Sequence, residues 1–344
     1  GAYALDANTT AANNTAIGYN ALTANTTGTG NNALGALALD ANTTGNYNVA
    51  LGDSALGAAT TAVGNTAVGS AAMTNTTTGA SNTAVGLESL RVNTTGANNT
   101  ATGYKALYAN TTASNNTAVG YQSLTANTTG ANNTALGYLA LDANTTAANN
   151  TAVGRDSLGA NTTGAQNTAV GQSAGLGITT GDYNQAFGYQ SMNGGAVTGA
   201  SNSAFGAQTL QSLTSGANNV AVGRNALSLN TTANNNTAVG YASLGANTTG
   251  ASNVAVGFGA LDANTTASNN TAVGNDALTA NTTGSQNVGL GMGTLTANTT
   301  AANNTAVGYN SLSANTTGAQ NTAVGHTAGA GITTGDYNQA FGYQ

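Results

Sequence analysis

A single apolar position recurs every 17 residues along the chain. Ile17, Leu34, Leu51, Val68, Val85, Thr102 and Val119 mark it, and Leu136, Val153, Val170 and Phe187 continue it. One 18-residue step to Phe205 follows, and the period then resumes at Val222 and runs to Phe341. Gly follows this position in all twenty copies, and Asn precedes it by three in all twenty. So strict and short a period makes each repeat one coil of a solenoid, because 17 residues cannot enclose a core of their own. The expected fold is all-β: a parallel β-roll of about twenty coils, in one continuous array over 1–344 with an irregular turn near 188–205. Stacked strands at ~4.8 Å would make it a rod on the order of 95 Å long.

The turn Asn116 to Asn132 reads N-T-A-V-G-Y-Q-S-L-T-A-N-T-T-G-A-N and represents the rest. Thr117-Ala118-Val119 alternates at period two, as a strand with one buried face does. Thr gives way to Val at Val49, Val220, Val254 and Val288, so this position is expected to face inward beside the main apolar residue. The intervening Ala, replaced only at Gly289, then faces the opposite way against something that requires a small residue. Leu at Leu22, Leu39, Leu56 and Leu90, with Met73 and Met192 as substitutes, is expected on a second strand that closes the core. No 3.6-residue apolar stripe is present, and Asn, Thr and Gly are weak helix formers. Ordering a whole turn outweighs the burial of two large side chains. Stability should therefore come from stacking and from association with other chains.

Composition narrows the partners. Four Lys and Arg stand against ten acids, so no basic stripe exists for a phosphate backbone, and nucleic acid is not an expected partner. Cysteine is absent, which removes disulfides and thiolate metal sites. No run of some 18 apolar residues is present to span a bilayer. The chain begins in phase with the repeat glycine and stops partway through a repeat, so it reads as a window cut from a longer array. Residues 166–190 and 320–344 agree at 22 of 25 positions, a second and longer repeat that points to growth by duplication.

The phrase N-T-A-V-G-Y followed by x-S/A-L resembles the head repeats of trimeric autotransporter adhesins, the YadA-like or haemagglutinin-type heads. Asn253-Val254-Ala255-Val256-Gly257 and Asn48-Val49-Ala50-Leu51-Gly52 carry the likeness most closely. The resemblance implies a left-handed parallel β-roll, three chains about a common axis, and adhesion at a bacterial surface. The turn here is longer than in those heads, and no stalk coiled coil or membrane barrel accompanies it. Repeats of this kind also suit a phage tail fibre or an extracellular filament.

Candidate sites follow from the columns that stacking creates. The invariant Asn, at Asn14, Asn116, Asn133, Asn253 and Asn338 among others, is expected to form a structural amide ladder at a corner. Asn-Thr-Thr recurs in phase fourteen times and supplies candidate N-glycosylation sequons at Asn8, Asn25, Asn127, Asn144, Asn161, Asn247, Asn264 and Asn315. Phrases such as Asn132-Asn133-Thr134 add further sequons. The same Asn-Thr-Thr segment also reads as an ordinary turn. Tyr19, Tyr104, Tyr121, Tyr138, Tyr189, Tyr241, Tyr309 and Tyr343 share a column with Arg155, Arg224, Asp53, Asn275 and His326, which places that column outside. Exposed aromatics there could meet glycans or host-surface proteins.

No catalytic, cofactor or metal constellation assembles. His326 is matched by Gln172 in the longer repeat, and Asp6, Asp40, Asp142 and Asp262 read as solvated surface acids rather than calcium ligands. The sequence thus points to a non-enzymatic, extracellular or cell-surface structural or adhesive element that self-associates as a homotrimer or filament. A phage tail-fibre shaft and an ice-binding β-solenoid are the alternatives.

Overall fold

The computed structural model describes residues 1–344. The chain divides into two compact units, Gly1–Gln172 and Ser173–Gln344. The first holds β1 (Thr15–Ile17) to β10 (Thr168–Val170) and the second β11 (Gln185–Phe187) to β20 (Gln339–Phe341). Every strand is three residues long, and neighbours within a unit pair in parallel, as in Thr117↔Thr134, Ala118↔Ala135 and Val119↔Leu136. This is a β-solenoid of 17-residue coils. In the second unit Gln185↔Ser203 and Phe187↔Phe205 stay in register across the 18-residue step, so the extra residue is absorbed outside the strand.

The strand faces the opposite way from the sequence expectation. Ala118 is fully buried, while Thr117 and Val119 on either side of it remain accessible, and the same buried centre recurs along the stack. Alternation at period two defines two faces but does not say which one is inside. Here the coil is too narrow for a Val at its centre, so the methyl of Ala packs inward and the larger residue points outward. Ala118→Val would therefore overpack the coil.

Leu occupies the interior as expected, but not from a second strand. Leu124 is fully buried and sits in a turn ribbon with φ of 52°, and Gln122 two residues earlier has φ of 50°. Alternate residues in left-handed conformation turn successive N–H groups toward opposite neighbours. Gln122 N–H donates to Tyr104 in the preceding coil (2.9 Å), and Leu124 N–H donates to Ala140 in the following one (2.9 Å). The ribbon thereby satisfies its backbone along the stack as a strand does. A left-handed Leu is costly, and burial of its side chain, about 1.5–3 kcal/mol, helps to offset that cost. Most coils thus bury one large apolar residue where two were expected, and only the coils with Met192 and Val197 and with Leu210 and Leu213 bury two.

Gly120 links strand to ribbon. Its φ of 139° lies outside the range of L-residues, and a Cβ there would stand 2.3 Å from the Gly137 carbonyl oxygen. The next coil closes the space, which accounts for glycine in every copy.

Candidate functional site

Two columns of buried Asn flank the Ala–Leu interior. In the first, the invariant Asn accepts at Oδ1 from the backbone N–H one coil later. Asn31 N–H donates to Asn14 (2.9 Å), Asn133 to Asn116 (2.9 Å), Asn253 to Asn236 (2.9 Å) and Asn338 to Asn321 (2.8 Å). In most copies the Nδ2 group reaches across to a corner carbonyl, as Asn133 does to Ala147 (2.9 Å) and Asn253 to Ala267 (2.9 Å), while Asn116, Asn270 and Asn304 leave theirs buried without an acceptor. These residues are interior struts rather than ligand contacts.

The second column is the Asn of Asn-Thr-Thr, which the sequence offers as a glycan acceptor. Asn25, Asn127, Asn144, Asn161, Asn247, Asn264 and Asn315 are all fully buried, and Asn8 in the first coil is half-buried. Their Nδ2 groups donate to the previous Asn Oδ1 and to the carbonyl three residues on: Asn144 to Asn127 (2.9 Å) and to Ala147 (3.1 Å). An N-linked sugar would have to replace one of these hydrogens, so the buried sequons are closed once the coil has formed. The sequence did hold a sign of this. Ala59, Ile178 and Ile332 occupy the same position in other copies, and apolar substitutes mark an inward site.

The Asn-Asn-Thr phrases behave differently. Asn132 is exposed with φ of 60°, and Asn98, Asn115 and Asn149 share its exposure and conformation. The left-handed corner suffices to explain Asn there.

Outside the coil lie two surfaces of opposite character. The strand face presents the main apolar column, with Ile17, Leu34, Leu136, Phe205 and Leu290 among its exposed members. In the second unit the Phe187 and Phe205 rings stack at 4.9 Å. Near the start of the first unit, Ile17, Leu34, Val49 and Leu51 line a shallow apolar hollow on this face. Nine such side chains in the first unit and ten in the second expose roughly 500 Å² of apolar surface per unit, at the upper end of what monomers usually leave open.

The other surface is a ridge where sequence varies. It carries all four basic residues and most of the tyrosines. Tyr104, Tyr121 and Tyr138 stack at 5.3 and 5.2 Å, nearly parallel. Arg91 and Lys105 both pair with Glu88 (2.7 and 3.4 Å), and Lys105 Nζ lies between the rings of Tyr104 (5.3 Å) and Tyr108 (5.4 Å). Hydrogen bonding to Tyr104 and Glu88 raises the Lys105 ammonium above its ordinary pKa. In the second unit Tyr241 stacks on Phe258 (5.3 Å), and His326 lies between Tyr309 (5.0 Å) and Tyr343 (4.9 Å). The aromatic column is outside, as expected, but its rings largely cover one another's faces.

Asp40, Asp142 and Asp262 are half-buried rather than fully solvated. Burial raises each carboxyl above the ordinary range, and the charges of Asp156 and Asp276 raise Asp142 and Asp262 further. Arg155 Nε pairs with the adjacent Asp156 (3.0 Å). No group of three or more metal-ligating side chains comes together. The sequence matches no protein-family model, and no curated protein is significantly similar to it.

Proposed function

We propose that the protein is a non-catalytic structural and adhesive element of an extracellular or cell-surface assembly, built by packing its strand faces against other copies of itself. The outward apolar column carries this reading. A face holding Val, Leu, Ile or Phe in nearly every coil loses free energy to water along its whole length, and an identical face on a second chain is the partner of matching length and period. A homotrimer or a filament would each bury it. The likeness to adhesin head repeats supplies the surface and adhesive part of the reading, and a tail-fibre shaft would use the same packing.

Native mass spectrometry and light scattering at micromolar concentration test it. Wild-type protein is expected to be oligomeric, and Val119→Lys combined with Val153→Lys and Val222→Lys should dissociate it while leaving the far-ultraviolet circular dichroism unchanged. A compact wild-type monomer across that range would refute the reading. One observation favours a second use of the same face. Seven consecutive coils place Thr in the first outward column, from Thr66 and Thr83 to Thr151 and Thr168. A regular Thr row at ~4.8 Å could order water, and thermal hysteresis in a monomeric sample would identify the protein as ice-binding.

A further inference from the structure

The variable ridge contains the same constellation twice, once in each unit. Tyr121, Tyr138, Asp142, Arg155 and Asp156 in the first unit correspond one for one to Tyr241, Phe258, Asp262, Asn275 and Asp276 in the second. In both, two aromatic rings stack on successive coils, Tyr121 on Tyr138 at 5.2 Å and Tyr241 on Phe258 at 5.3 Å. In both, the stack then stops. The next coil offers no ring but a planar polar side chain tied to the carboxylate beside it. Arg155 Nε donates to Asp156 Oδ2 (3.0 Å), and Asn275 Nδ2 donates to Asp276 Oδ2 (2.7 Å).

The end of a stack differs from its middle. Tyr121 has a ring on either side, whereas Tyr138 has Tyr121 on one side and the Arg155 guanidinium, 6.0 Å from the ring centre, on the other. An open hollow is lined by Tyr138 and Arg155. Phe258 is 56% exposed, and the short Asn275 side chain stands after it in the column. Each site therefore combines a ring whose outer side is not covered by a second ring, and at Tyr138 is approached only by the Arg155 guanidinium at 6.0 Å, with an adjacent amide or guanidinium–carboxylate pair that still has hydrogen-bonding capacity. A pyranose needs that combination: its axial C–H face packs on an aromatic ring, and its vicinal hydroxyls bond to planar polar groups.

We propose that Tyr138 with Arg155–Asp156, and Phe258 with Asn275–Asp276, are two copies of a carbohydrate-binding site for a neutral hexopyranose ring. Charge selects neutral over acidic sugars. The first site balances one guanidinium against Asp156 with Asp142 close by, and the second carries Asp262 and Asp276 with no cation among its named groups. An anionic sugar would meet uncompensated carboxylates, most strongly at the second site. The constellation lies on the ridge and not on the strand face, so it stands or falls separately from self-association.

Saturation-transfer NMR on the full chain tests the proposal, with the methyl glycosides of glucose, galactose and mannose as neutral probes and glucuronate as the acidic one. Saturation of the protein's aromatic protons is expected to reach the ring protons of at least one neutral glycoside. Tyr138→Ala combined with Phe258→Ala should reduce that transfer at least fivefold. Asp156→Asn with Asp276→Asn should alter it while both rings remain. These side chains are on the surface, so an unchanged circular dichroism spectrum is expected for both variants. The proposal is overturned if no neutral glycoside receives saturation, if the double alanine variant transfers as well as wild type, or if glucuronate is the better ligand.

Discussion

In the coils from Asn93 to Asn161 and in those from Ile178 to Leu213, the same side of the interior is filled by opposite chemistry. The first region runs Asn93, Asn110, Asn127, Asn144, Asn161, and from Asn110 onward each Nδ2 donates to the preceding Oδ1, at 2.9, 3.2, 2.9 and 3.2 Å. The second places Ile178, Val197 and Leu213, all fully buried, and joins Ile178 to Val197 by an isolated parallel bridge. The irregular step falls in the second region. An amide ladder is directional and needs every rung at the same height, whereas apolar packing has no preferred angle and tolerates a shifted partner. The extra residue is accommodated where the ladder is absent. The invariant Asn column persists through the step, with Asn202 N–H donating to Asn184 Oδ1 at 3.0 Å.

The junctions between the two chemistries show the cost of mixing them. Asn42 Oδ1 is buried without a donor because the next rung is Ala59, and Asn315 Oδ1 is likewise orphaned before Ile332. A rung is therefore worth having only if its neighbours share it.

This contrast can be broken at several points. The largest effect is expected from a glycine inserted between Ala126 and Asn127, which would put the ladder out of register and cost about 4 kcal/mol or more. Removal of Gly195 from the apolar region should cost far less, and hydrogen exchange in the flanking coils would reveal a reversed order if the contrast is wrong. Next, Asn127→Leu should lose about 3 kcal/mol by orphaning Asn110 Oδ1 and the Gly130 carbonyl, and Val197→Asn should lose a similar amount by burying an amide without partners. Thermal melts that left either variant unchanged would contradict the directional account. Ala59→Asn should act the other way, supplying the donor that Asn42 lacks and stabilising the protein by about 1 kcal/mol.

The smallest effect concerns pH. Neither amides nor aliphatic groups titrate, so the contrast itself should persist across the acid range. Residual dependence belongs to Asp40, Asp142 and Asp262, whose folded-state pKa values are raised. A raised carboxyl favours the folded state when protonated, so its stabilising contribution is complete below the unfolded pKa and is lost as pH rises through the folded value. Asp142→Asn with Asp262→Asn should therefore raise the melting temperature slightly at pH 7 and leave it unchanged near pH 3.

Much of the coil was legible in the sequence because the period aligns twenty experiments on the same position. Invariant Asn and Gly marked corners, and Leu marked the interior. The inward face of the strand was not legible, since apolarity favoured Val119 while the width of the coil, a property of the stack, admitted only Ala118. The left-handed Leu ribbon has no signature in local propensity, because tertiary hydrogen bonds from both neighbours impose it. The buried Asn-Thr-Thr column has the composition of a turn with sequons, and only its apolar replacements mark it as an interior site. The ridge constellations escaped notice for a different reason: stacking brings together residues that are 17 apart, and only the end of an aromatic run distinguishes them.

Both amide columns run in one direction. The later coil always brings the donors and the earlier coil holds the acceptors, as Asn133 to Asn116 and Asn144 to Asn127 exemplify. Each finished coil therefore offers Asn Oδ1 acceptors to the N–H groups of the next coil, while the backbone of strand and ribbon donates in both directions. Each coil is thus polar along the stack, and only a coil laid down in the same sense can extend the two amide columns.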